Sequence, residues 1–190
     1  MIKTNKNIKW EKNGFIIRLA RKEDGETYYE ENFCPLDKDI ARLTGCKESF
    51  TREEVISFFE TSLEDENRVF FLIIAPDGSI IGESVINEID WELRCANFRI
   101  AIFQPTKRDQ GIGTWAVRIT RDFAFEKLNL HRLELDVYSF NPRAEKAYLK
   151  AGFKKEGVRR DAVLDGDIYG DDIFMAILEE EWRAIKATEE

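Results

Sequence analysis

Between residues 96 and 128 an alternating apolar strand passes through a short polar loop straight into an amphipathic helix, and no other segment restricts the folds open to this chain as strongly. The strand spans residues 96–103 (ANFRIAIF), with Phe98, Ile100 and Ile102 on one face. The loop reads Lys107-Arg108-Asp109-Gln110-Gly111-Ile112-Gly113-Thr114, and the helix it opens repeats Ile112, Ala116, Ile119 and Phe123 about one turn apart. The first N–H groups of a helix have no intrahelical acceptor, and the helix dipole favours negative charge beside them. Gly111 and Gly113 carry no Cβ, so a phosphate can approach that backbone closely, and Lys107 and Arg108 can add positive charge. The junction is a candidate phosphate-binding turn, the alternative being an ordinary strand, turn and helix with two glycines. A P-loop would carry a trailing lysine that this loop lacks. A dinucleotide fingerprint would need glycine at 116, where alanine stands.

The remaining pattern is mixed α/β. Phe15–Leu19 (FIIRL) predicts a first strand, and residues 24–63 a helical stretch broken at Cys34-Pro35 and Gly45. Thr51 and Glu54 form a capping box ahead of an apolar run. Residues 69–75 and 80–89 predict two strands joined by the turn Pro76-Asp77-Gly78. In residues 131–138, Leu133, Leu135 and Val137 face in while Arg132, Glu134 and Asp136 face out. Asn141-Pro142 starts a short helix that Gly152 stops. Residues 158–164 and 173–178 form a hairpin around Asp165-Gly166, and a last short helix carries Trp182. No repeat, low-complexity block or linker divides the chain, so one domain over 1–190 is expected, with its core at about 15–182.

Composition narrows the function. The net charge is −8, which leaves no basic face for a nucleic acid and is compatible with a cationic small molecule. Three cysteines without metal-ligand spacing and a single histidine predict no metal site. The first residues contain no apolar signal core and no run of about 18 apolar residues occurs, so a cytoplasmic protein outside the membrane is expected.

Arg108-x-x-Gly111-x-Gly113, between its strand and helix, resembles the [Arg/Gln]-x-x-Gly-x-[Gly/Ala] acetyl-CoA motif of the GCN5-related N-acetyltransferase (GNAT) superfamily. The segment 141–153 (NPRAEKAYLKAGF) is similar to the family's Asn-x-x-Ala-x-x-x-Tyr-x-x-x-Gly-Phe signature. Further on, Gly157, Arg159 or Arg160, Asp161, Asp165-Gly166, Asp171 or Asp172, Met175 and Glu181-Trp182 resemble the branch that acetylates ribosomal-protein alanines and polyamines. The resemblance implies a single GNAT-like domain of the α/β (α+β) class. Its mixed, mostly antiparallel sheet would be splayed and flanked by helices, with the strands at 96–103 and 131–138 parting at their C-terminal ends.

It also implies acetyl-CoA as co-substrate, its arm pairing with backbone at Ile100, Ile102 and Phe103 and its diphosphate resting on the amides of Gln110, Gly111, Ile112, Gly113 and Thr114. The reaction implied is direct attack by a small-molecule or peptide amine in a ternary complex. The alternative is an inactive acyl-CoA-binding module, and a homodimer is compatible with either. An N–H near Ile102 would steady the oxyanion. Tyr148 is either the acid that protonates the leaving thiolate or a packed tyrosine. Asn141 is either a plain helix cap or a cap that also bonds the coenzyme arm. Arg108 and Lys107 are phosphate ligands or solvated loop residues. Glu88 is the candidate base, with Glu83 and Asp90 as rivals. His131 reads as a surface residue. Acidic residues at 30, 31, 37, 39, 90, 167 and 171, in the segments expected to build the acceptor pocket, either favour a cationic acceptor or simply face solvent.

Overall fold

Why the chain forms one continuous sheet follows from how its apolar strands are covered. The computed structural model describes residues 8–108 and 110–189. Residues 1–7, 109 and 190 of the expected domain lie outside the described residues. Strands β1 (Lys9–Lys12), β2 (Phe15–Leu19), β3 (Val69–Ile74), β4 (Ile80–Asp90), β5 (Cys95–Ile102), β6 (Arg132–Tyr138), β7 (Lys154–Asp165) and β8 (Ile168–Leu178) build an eight-stranded sheet in the order β1-β2-β3-β4-β5-β6-β8-β7. All neighbours are antiparallel except β5 and β6, which run parallel. Every residue of β3 is buried, because helices cover both faces of the sheet there. β7, at the edge, is mostly exposed and carries Lys154, Lys155, Arg159 and Arg160, charges that discourage edge pairing.

One layer consists of α1 (Gly25–Asn32), α2 (Lys38–Thr44) and α3 (Arg52–Glu64); the other of α4 (Ile112–Glu126), α5 (Pro142–Lys150) and α6 (Glu179–Glu189). The first layer closes over Leu72, Val85, Ala101 and Phe103, with Tyr28 and Phe59 as its buried aromatic centre. The second closes over Ile73, Ile86, Phe98, Leu133 and Leu135. Each fully buried phenylalanine here contributes about 1.5–3 kcal/mol. The expected capping box is present: Glu54 N–H donates to Thr51 Oγ1 at 3.2 Å, and Thr51 N–H to Glu54 Oε2 at 2.7 Å. Trp182 on α6 stacks on Phe125 and donates its indole N–H to Asp122.

Strand β1 departs from the sequence reading, which gave that stretch no element. Its pattern is KWEK, with a single apolar side chain. That Trp10 is half-buried against Phe71 and Phe123, at 5.6 and 5.9 Å between ring centres, which suffices to dock a short edge strand on β2. Among the described residues no helix is long and apolar enough to cross a membrane.

Candidate active site

The parallel pairing of β5 with β6 covers only three residue pairs, Cys95 with Arg132, Ala96 with Leu133 and Asn97 with Glu134. Beyond Asn97 the two strands separate, as the splayed sheet requires. Which backbone groups line the gap is fixed by one hydrogen bond: Phe103 N–H donates to Ile81 O on β4 at 2.8 Å. Alternation along an antiparallel strand then commits Ala101 and Arg99 to β4 and turns the N–H groups of Ile102, Ile100 and Phe98 toward the gap. The backbone N–H groups of Ile100 and Ile102 are therefore free of β4 and face the gap. Phe103, expected beside them, differs: its N–H is spent on Ile81, and its carbonyl accepts from Arg108 at 3.1 Å.

Just past the end of β5 lies the N-terminus of α4. Gly111 is its N-cap with φ +76, a backbone region that glycine enters without strain. Among the described residues no side chain caps this end, and no acidic residue occupies the first turn. The space where Cβ atoms of residues 111 and 113 would point is open for 4 Å. Ile112, Gly113 and Thr114 thus begin a 15-residue helix with bare amides. Gln110 is exposed, its side-chain amide turned back to Thr106 O at 3.1 Å.

Arg108 is employed differently from the expected phosphate contact. Its side chain is 6% exposed and donates to Ile102 O at 3.0 Å, Phe103 O at 3.1 Å and Asp37 Oδ1 at 2.6 Å. Asp37 is also the N-cap of α2, accepting from Ile40 N–H at 3.2 Å. The guanidinium is consequently a buried strut between the end of β5 and α2. Lys107 pairs with Asp77 at 3.0 Å, so it too has a protein partner. Asp37→Ala should cost about 2–3 kcal/mol in urea unfolding, because it removes a helix cap and leaves a buried guanidinium short of its carboxylate. Asp37→Asn, which retains the cap, should lose about 1 kcal/mol less.

Between the layers a cavity of about 610 Å3 opens through the gap. Gly111, Gly113, Thr114, Asn141 and Tyr148 line one part; Tyr28, Phe33, Phe50, Glu83 and Asp136 line another. Asn141 caps α5, accepting from Ala144 N–H at 3.2 Å, and its amide nitrogen has no partner among the described residues. One face of that helix brings Tyr148 into the cavity wall, its ring edge-on to Phe98 at 6.2 Å. The Tyr148 hydroxyl has no hydrogen-bond partner among the described residues. Burial, and secondarily the charge of Asp136, holds it well above the usual phenol range, so it is a neutral O–H donor.

Glu88 falls outside this assembly. The register of β4 against β5 shifts between Asn87 and Asp90, and Glu88 sits in that irregularity with φ +54, exposed and away from the cavity wall. Asp90 turns to the N–H groups of Glu92 and Leu93. The β4 carboxylate that reaches the cavity is Glu83, buried, accepting from the Tyr28 hydroxyl at 2.5 Å and lying 3.5 Å from the Arg99 guanidinium. Acidic residues of the segments expected to build the acceptor pocket are engaged elsewhere: Glu31 accepts from Ile80 N–H, Asp37 holds Arg108, and Asp171 accepts from Asp161 N–H. Glu83, Asp136 and Glu54 line the cavity in their place. His131 is exposed and is not among the residues that line the cavity.

A family model described as an acetyltransferase (GNAT) domain matches residues 15–154. Probable N-acetyltransferase YjcK of Bacillus subtilis (strain 168) is 34% identical over 128 residues, covering 67% of this chain and 70% of the relative. Spermidine N(1)-acetyltransferase of Escherichia coli (strain K12) is 29% identical over 131 residues, 69% of either chain. Among solved structures, spermidine N-acetyltransferase from Vibrio cholerae in complex with CoA and spermine superposes with a TM-score of 0.80 at 23% identity, covering 90% of this chain and 99% of that one. At that identity the likeness is one of fold.

Proposed function

The chain belongs to the GNAT family and is an N-acetyltransferase; from that premise we propose that it moves an acetyl group from acetyl-CoA to a primary amine by direct attack, with both substrates bound together. The observation that carries this reading is the parting of β5 from β6 after Asn97, with the bare start of α4 at the end of the gap. An extended amide-bearing chain ending in a diphosphate fits those two features: unpaired strand backbone for the one, unpaired helix amides for the other. The amides of Gln110 through Thr114 would hold the diphosphate, and the backbone of Ile100 and Ile102 the arm. Acetyl-CoA, when bound, supplies an acyl group activated as a thioester.

The chain's own groups then divide the remaining work. The cavity holds the amine against the acyl carbon, which converts a bimolecular encounter into a local one. The Ile102 N–H faces the gap and stabilises negative charge developing on the acyl oxygen. Glu83, in place of Glu88, takes up the proton that the attacking ammonium must lose. The Tyr148 hydroxyl provides the proton for the departing thiolate. Asn141 fixes the start of the helix that aims Tyr148, and its free amide nitrogen adds a donor at the gap. The acceptor belongs to the amines: a peptide N-terminus, a polyamine-like molecule or another small primary amine. The spermidine acetyltransferases among the relatives and the acidic, aromatic acceptor wall support that class.

Thiol release from acetyl-CoA tests the reading. Release should depend on both protein and a primary amine, and acetyl-CoA alone should raise the melting temperature by mass action. Amine-independent release, or no thermal shift at millimolar acetyl-CoA, counts against it.

A further inference from the structure

Glu83 is a buried carboxylate in largely apolar surroundings. Cross-strand pairing sets it between Leu72 on β3 and Ala101 on β5, on the sheet face that the first helical layer covers. A buried carboxylate needs a hydrogen bond to offset the water it has lost. Among the described residues that bond comes from outside the sheet: the Tyr28 hydroxyl on α1, 55 residues earlier in the chain, donates to Oε2 at 2.5 Å. The other oxygen, Oε1, accepts no hydrogen bond from a described residue and has the Arg99 guanidinium beside it at 3.5 Å. Tyr28 and Glu83 both line the cavity.

Tyr28 has little freedom to stand elsewhere. It is 1% exposed, and its ring meets those of Phe59, Phe33, Phe70 and Phe103 at 4.9, 5.2, 5.9 and 5.9 Å between centres. Close packing around a side chain with two torsions fixes where the hydroxyl lies. The helix that carries it is anchored too. Arg18 on β2 donates to both carboxylate oxygens of Asp24, the residue before α1, at 2.6 and 2.7 Å, and Asn32 donates to Tyr28 O at 3.1 Å. Burial, then the charge of Glu83 and the bond to it, hold the Tyr28 phenol well above its usual range, so it stays an O–H donor.

The terminal torsion of a glutamate is broad, and left alone it lets either oxygen face the amine, or neither. With Oε2 held, that torsion is set and Oε1 has one direction. A general base works only within hydrogen-bond reach of the proton it takes.

We infer that Tyr28 is a positioning residue: its hydroxyl holds Glu83 Oε2 so that Oε1 is presented to the attacking amine. The inference rests on the acetyl-transfer reading, in which Glu83 takes up the proton, and deepens it. A double-mutant cycle decides it, read by thiol release with the best acceptor among hexylamine, spermidine and trialanine. Tyr28→Phe keeps the ring contacts and should lower kcat by about tenfold or more, with KM for acetyl-CoA and for the amine within about twofold. Glu83→Gln should lower kcat by about a hundredfold. Tyr28→Phe added to Glu83→Gln should cost less than about threefold further, because both act through one carboxylate. Phe59→Leu disturbs the same aromatic cluster without touching the hydroxyl. It should lower the melting temperature more than Tyr28→Phe does, yet keep kcat within about threefold. Wild-type kcat in Tyr28→Phe or Glu83→Gln, a full further loss in the double variant, or an equal loss in Phe59→Leu would overturn the inference alone. A wild type without amine-dependent release overturns the acetyl-transfer reading and this inference with it.

Discussion

Gly111→Glu is expected to abolish the thermal stabilisation conferred by acetyl-CoA while leaving the unliganded fold nearly intact. The two halves of that expectation have separate causes. At φ +76 any L side chain other than asparagine or aspartate is uncomfortable, which costs about 1–2 kcal/mol. A Cβ at residue 111 meets nothing within 4 Å, so no clash adds to that strain. The new carboxylate, however, stands beside the bare amides of α4, where the dipole attracts it and where the diphosphate should rest. At a ligand concentration of a hundred times Kd the wild type gains about 2.7 kcal/mol. The variant should gain nothing measurable, which at that concentration requires affinity down by about a thousandfold or more. Gly111→Asn supplies the control, since asparagine tolerates the left-handed region and adds no charge; it should keep most of the shift. A full acetyl-CoA shift in Gly111→Glu, measured by differential scanning fluorimetry, removes this turn from coenzyme binding.

Local chemistry made much of the architecture readable. The strand, glycine loop and helix at 96–128, the Thr51–Glu54 capping box and the Asn141-Pro142 helix start are each written within a few residues, and each has its expected form in the structure. What escaped the sequence depends on partners far along the chain or on register. Arg108 reads as a phosphate ligand until Asp37, 71 residues away, takes its guanidinium. Phe103 reads as equivalent to Ile102 until the bond to Ile81 fixes which amides face the gap. Glu88 is displaced by a register shift between Asn87 and Asp90 that simple alternation cannot reveal, whereas Glu83, five residues earlier in regular strand, reaches the cavity. Asp136 is instructive in the opposite sense. Alternation correctly turned it away from the core, and where β5 and β6 part that outward, exposed position also lies on the cavity wall.

Tyr148→Phe should separate chemistry from binding more sharply than any other substitution in the cavity. The hydroxyl bonds to no described residue, so its removal leaves no orphaned partner, and stability near neutral pH should change by less than about 0.5 kcal/mol. Coenzyme affinity should hold as well, since the backbone of β5 and α4 is untouched. Turnover should fall by about a hundredfold, the ordinary contribution of a positioned general acid. The pH dependence adds an independent check. Burial and Asp136 raise the phenol in the folded state above its unfolded value of about 10. Tyr148 therefore stays protonated across the working range. The stability it contributes through this shift is fully present below about pH 10 and is lost as pH rises through the higher folded value. Any fall in wild-type kcat between pH 7 and about 10 must then come from another group, and Tyr148→Phe should lower the whole profile without moving its limbs in that range. Stopped-flow single turnovers across pH would register the difference. An unchanged rate constant would return Tyr148 to the packing of Phe98 and Phe153, and leave water to protonate the thiolate.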